Sequence, residues 1–136
     1  MYREMTDCIQ VDVEPTFVPE RSSPEKGVFF FAYQVQIRNL GEQRVQLLDR
    51  KWQITDGRGR VHEVQGVGVV GEQPVILPGG HYEYTSFCPL PTPTGNMRGS
   101  YKMKRADGTT FVAAIPLFFL RDLRRVPARS QDTVLH

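Results

Sequence analysis

The sequence predicts an all-β domain: an antiparallel β-sandwich, immunoglobulin-like or fibronectin type III-like, with seven to nine strands. Three observations carry this. Apolar and polar residues alternate with period two along most of the chain, which gives each strand one core face and one solvent face. Turn signals made of Gly, Pro, Asp and Asn recur about every ten residues. No segment keeps a 3.6-residue apolar period for more than about two turns, so helices are not expected.

Residues 1–5 read as a loose lead-in. Residues 8–14 (CIQVDVE) form a half-buried strand with Ile9, Val11 and Val13 on one face. Residues 19–27 (PERSSPEKG) form a polar loop. Residues 28–39 (VFFFAYQVQIRN) give the clearest strand, with Phe29, Phe31, Tyr33, Val35 and Ile37 in phase. One apolar face opposite a mostly polar one belongs to an antiparallel sheet. Residues 43–55 (QRVQLLDRKWQIT) form the next strand. The apolar phase slips between Val45/Leu47 and Trp52/Ile54, which predicts a bulge around residues 48–50. Asp56-Gly57-Arg58-Gly59 is a hairpin turn, and residues 60–64 return.

Residues 64–80 (VQGVGVVGEQPVILPGG) concentrate glycines in an apolar segment. Gly66, Gly68 and Gly71 spell G-x-G-x-x-G. A dinucleotide fingerprint needs a helix opening on the third glycine, because the helix N-terminus supplies the amides and the dipole that hold the phosphates. Pro74 leaves no room for one. The glycines therefore read first as a structural turn requiring positive φ or close backbone approach. The alternative is an anion-binding nest of backbone amides at Gly66, Gly68 and Gly71, taking a pyrophosphate-like group.

Residues 81–88 (HYEYTSFC) form another strand; residues 89–96 (PLPTPTGN) read as a rigid irregular loop. Residues 98–105 make a strand with Tyr101 and Met103 in phase. Asp107-Gly108 turns the chain, residues 110–116 return, and residues 117–120 add a last apolar run. The domain is thus expected over residues 1–122. Residues 123–136 follow as a basic, flexible tail.

Bulk properties bound the function. The 136 residues suit one domain, and 40% hydrophobic with 24% charged content suits a soluble globular core. A net charge of +2 is too small for a dedicated nucleic-acid binder. No apolar signal core or membrane-length run is present. Cys8 and Cys88 are expected as free, buried thiols. His62, His81 and His136 are scattered, and Asp49, Asp56, Glu63, Glu72 and Glu83 are dispersed, so neither a metal site nor an acid–base pair is expected. Trp52 should fill the core, with Arg50 and Lys51 facing water. These readings favour a non-enzymatic module without a cofactor. It would bind a protein partner through an exposed sheet face or edge, or through the loops at 71–80 and 89–97. A monomer or weak homodimer is expected.

Five stretches carry a family resemblance: FAYQVQIRNLG at 31–41, VQLLDRKWQITDGRG at 45–59, EVQGVGVVGEQPVILPGG at 63–80, YTSFCPLPTPTGNMRGSYKM at 84–103 and FVAAIPLFFL at 111–120. Through them the chain closely resembles the ApaG family over about residues 5–122. The resemblance implies a fibronectin type III-like sandwich in a bacterial cytoplasmic protein. It also implies a genetic link to diadenosine-tetraphosphate hydrolysis, an association with cobalt and magnesium efflux, and kinship with interaction domains fused to F-box proteins. It supplies no catalytic residues. The family often has His before the Trp, where this chain has Lys51.

Overall fold

A computed structural model describes residues 1–124. Nine strands are found among them: β1 (Tyr2–Thr6), β2 (Ile9–Phe17), β3 (Phe29–Asn39), β4 (Val45–Asp56), β5 (Val61–Val67), β6 (Val75–Ile76), β7 (His81–Leu90), β8 (Thr94–Arg105) and β9 (Thr110–Arg121). One antiparallel sheet runs β1-β2-β3-β7. The other runs β5-β4-β8-β9, with β6 also on β4. The inner faces meet over Phe31, Tyr33, Trp52, Tyr101 and Phe118, all buried, and Trp52 packs edge-on against Tyr33 and Phe118. The expected sandwich is therefore what the chain forms.

The strand phases follow the sequence closely. Phe29, Phe31, Tyr33, Val35 and Ile37 are all buried. The β4–β8 register shifts between Leu47 and Asp49, at the expected bulge. The slip moves the inward phase from Val45 and Leu47 to Arg50 and Trp52. Among the described helical pieces only two short 3-10 turns occur, Pro19–Arg21 and Pro24–Lys26, inside the expected polar loop.

Four expectations need correction. Residues 1–5 are not a loose lead-in: β1 pairs with β2 from Tyr2↔Val13 to Thr6↔Ile9. Its partner across the sandwich is β9, where the Ala114 amide donates to Thr6 Oγ1 at 3.1 Å. Cys8 is exposed, because Asp7 and Cys8 form the two-residue β1–β2 turn with φ of 46° and 68°. Residues 89–96 are mostly strand. Pro89 pairs opposite Phe30 on β7, an edge strand of its sheet, where a missing N–H costs no ladder bond. Finally, β9 runs unbroken through Pro116, because a register shift between Met97 and Gly99 absorbs it. Most of the expected tail, residues 125–136, lies outside the described residues.

Candidate functional site

One side of the sandwich is closed where β1 packs on β9. On the other, β7 faces the edge made by β5 and the glycine turn, and the sheets leave a mouth of about 360 Å³ between them. Arg50, Tyr33, Trp52, Tyr84, Val67 and Val70 help to line it.

The bulge builds this mouth. β5 pairs with β4 only as far as Asp49↔Val67, and β6 rejoins β4 at Gln46↔Val75 and Val45↔Ile76. The seven residues between must detour around the bulge. They do so stitched to it: the Gly68 amide and the Gln73 side-chain amide both donate to the Leu48 carbonyl, at 2.8 and 2.9 Å, and the Leu47 amide donates to Pro74 O at 3.0 Å. Val69 and Glu72 exchange two backbone bonds at 2.8 and 2.9 Å. Val70 takes φ 48°, and Gly68 and Gly71 take 65° and 80°. A Cβ on Gly68 would lie 2.2 Å from Glu72 O. This geometry requires glycine there whether or not a ligand binds.

Arg50 lies against Gly66, whose missing side chain leaves room for the guanidinium: a Cβ there would lie 2.8 Å from Arg50 Nη1 and Nη2. Its Nη1 donates to the carbonyls of Gly68 (2.8 Å) and Val67 (3.3 Å). Among the described residues no carboxylate pairs with it. Behind it the hydroxyls of Tyr84 and Tyr101 share a short hydrogen bond. Burial holds the Tyr84 and Tyr101 phenols well above the usual range, with the nearby Arg50 charge opposing it only in part. Tyr33 is raised for the same reason, opposed by a hydrogen bond with Ser86.

Of the sequence-predicted glycines, Gly66 thus lies on β5 and Gly68 and Gly71 in the turn after it; the Gly68 amide is spent on Leu48 O, the Val69 and Glu72 amides on each other's carbonyls, and the chain continues into β6 and not a helix. His62 and Glu63 neighbour each other along β5 and point to opposite faces. No group of three metal-ligating side chains occurs among the described residues, and no helix there is long and apolar enough to cross a membrane. Arg50, expected to face water, is half-buried and lies opposite the buried Tyr101. The signal that could have found it was the phase slip itself, since Arg50 is two residues before the inward Trp52.

Fold and site together define a small antiparallel β-sandwich with one closed and one open side, whose bulged fourth strand braces a glycine turn at the open side. Within that class the chain belongs to the ApaG family. The profile of the ApaG domain matches residues 19–105. The chain is 59% identical over 127 residues to Protein ApaG of Afipia carboxidovorans, covering 92% of this chain and 98% of that protein. It is 52% identical over 120 residues to Protein ApaG of Maricaulis maris, covering 88% and 92%. A crystal structure of a Bordetella pertussis protein described as ApaA superposes with a TM-score of 0.81 at 49% identity, over 83% of this chain and 92% of that one. The C-terminal domain of wzt, at 10% identity and TM-score 0.51, shares the fold alone.

Proposed function

We propose that this ApaG protein is a non-enzymatic interaction module that docks a partner protein at the open side of its sandwich. One observation carries the reading. From β5 through β6 the edge exposes a row of large apolar side chains, including Val61, Val67, Val70, Val75 and Leu77, with Val67 73% and Leu77 61% accessible. Such a row on a strand edge is a place for another chain to pair or pack. The test is co-purification from the native cell with wild-type protein and a Val67→Asp/Val70→Asp variant. A partner held by the wild type and released by the variant supports the surface; a partner held equally by both removes it.

A second reading places a phosphate-type anion at Gly66, Gly68 and Gly71. The Arg50 cation beside the turn favours it, while the Gly68 amide already bonded to Leu48 O and the Val69 and Glu72 amides bonded to each other's carbonyls weaken it. Pyrophosphate titration followed through the amide NMR signals of residues 64–73 tests it, and unmoved signals at millimolar ligand remove it. Any link to divalent-cation efflux would act through a partner, since no metal-ligand cluster occurs among the described residues.

A further inference from the structure

We infer that the mouth recognises an acid: the Arg50 guanidinium receives one carboxylate carried by an extended, apolar-flanked segment of a partner protein. This rests on the interaction reading above and names the chemistry of what binds.

The cation is unusual in its setting. The β4 bulge turns Arg50 onto the inward phase of its strand, opposite Tyr101, instead of out to water. Only its Nη1 is occupied, and by neutral carbonyls. Among the described residues nothing takes its Nε or Nη2, so one edge of the guanidinium keeps its donors for a ligand. A half-buried charge without a counter-ion is costly, and an incoming carboxylate on that fork removes the cost through charge-assisted hydrogen bonds.

The charge count selects a carboxylate over a phosphate. Among the described residues the mouth holds a single cation, its other side-chain polar groups are neutral hydroxyls, and the turn forming one wall carries Glu72, whose carboxylate accepts from Tyr82 at 3.2 Å. A monoanion balances Arg50, whereas a phosphate dianion leaves net negative charge beside Glu72. The walls select a polypeptide over a free acid. Val70 on the turn is exposed and apolar at the mouth, and Val67 and Phe87 turn their exposed apolar side chains onto the outer faces of the two rim strands, so residues flanking the acid find surfaces to cover as they leave the mouth. The unpaired edges of β5 and β7 offer backbone partners to an extended chain.

Amide NMR of the wild-type protein with four probes tests this. They are a blocked Thr-Val-Glu-Val-Thr peptide, its Gln twin, 4-methylpentanoate and inorganic pyrophosphate. The Glu peptide is expected to shift Val67, Val70 and Ser86 amides and the Arg50 Nε signal, saturating near ~1 mM. The Gln twin and pyrophosphate should bind at least about tenfold more weakly, as should the Glu peptide on Arg50→Lys, which keeps the charge and loses the fork. Equal binding of the Glu and Gln peptides, no saturable shift, or preference for pyrophosphate overturns the inference. The free acid binding as tightly as the peptide overturns its polypeptide part. No partner is needed, so a failed titration leaves the co-purification result standing, and an unsuccessful co-purification leaves the titration standing.

Discussion

The Gly68 amide donates to the Leu48 carbonyl at 2.8 Å, and this bond fastens the glycine turn to the one strand irregularity it must bypass. The three glycines then differ in kind. Gly68→Ala forces a Cβ to within 2.2 Å of Glu72 O at φ 65°, and should cost about 3 kcal/mol or more. Gly71→Ala meets nothing within 4 Å and carries only the left-handed penalty, about 1–2 kcal/mol. Gly66→Ala meets only the movable end of Arg50 and should cost less than about 1 kcal/mol while displacing the guanidinium. Urea midpoints of the three variants check this order. Equal losses would mean that Glu72 is not what fixes the turn.

The two thiols should report opposite environments. Cys8 sits exposed in the β1–β2 turn, and Cys88 is buried on β7 with its thiol pushed up to about 11 by burial. At pH 8 a thiol reagent should titrate one cysteine in the folded protein and both in denaturant. Two thiols reacting at one rate under native conditions would show that β7 opens readily from β3.

What the sequence made legible was whatever depends on local period and turn chemistry. The run 28–39 alternates so strictly that it admits one face assignment. The break in phase between Leu47 and Trp52 marked the bulge, and the two Asp-Gly pairs marked their hairpins. The misses depend on neighbours distant in sequence. Tyr2–Thr6 is mostly exposed and becomes a strand only because β2 and β9 are beside it. Its turn uses Asp7 and Cys8 at positive φ, where no glycine gives a signal. Pro89 breaks a strand in isolation yet sits safely on an edge. The glycine pattern was readable as a turn, but the mouth was not, because it exists only where β7 faces a segment of the opposite sheet.

Alkaline pH should destabilise the fold before neutral or mildly acidic pH does. A phenol or thiol whose folded pKa lies above its unfolded value stabilises the protein fully below that unfolded value, and the contribution drains away as pH climbs toward the folded one. Cys88 rises from an ordinary 9.0, and Tyr33, Tyr84 and Tyr101 rise from 10.0. These groups should therefore leave the urea midpoint unchanged up to about pH 8, start to lower it from about pH 9 and lower it steeply beyond about pH 10. Tyr84→Phe should flatten the upper part of that fall. A midpoint unchanged between pH 9 and 11 would mean that these side chains ionise without resistance, and so are not buried.

Trp52 is the single tryptophan of the chain and occupies the contact between the two sheets. It is 3% accessible, with its ring 5.4 Å from Tyr33 on one sheet and 5.9 Å from Phe118 on the other, centroid to centroid. Removing it deletes the largest inter-sheet side chain together with two edge-to-face contacts, so Trp52→Ala should cost about 3–5 kcal/mol. Trp52→Phe keeps an aromatic ring and should recover more than half of that loss. The same burial predicts blue-shifted fluorescence that acrylamide barely quenches until the protein unfolds. Arg50 is two residues away on the same face, so Trp52 also serves as a reporter for the mouth. A carboxylate arriving at the guanidinium should change the tryptophan emission, and no change on binding would place that ligand elsewhere.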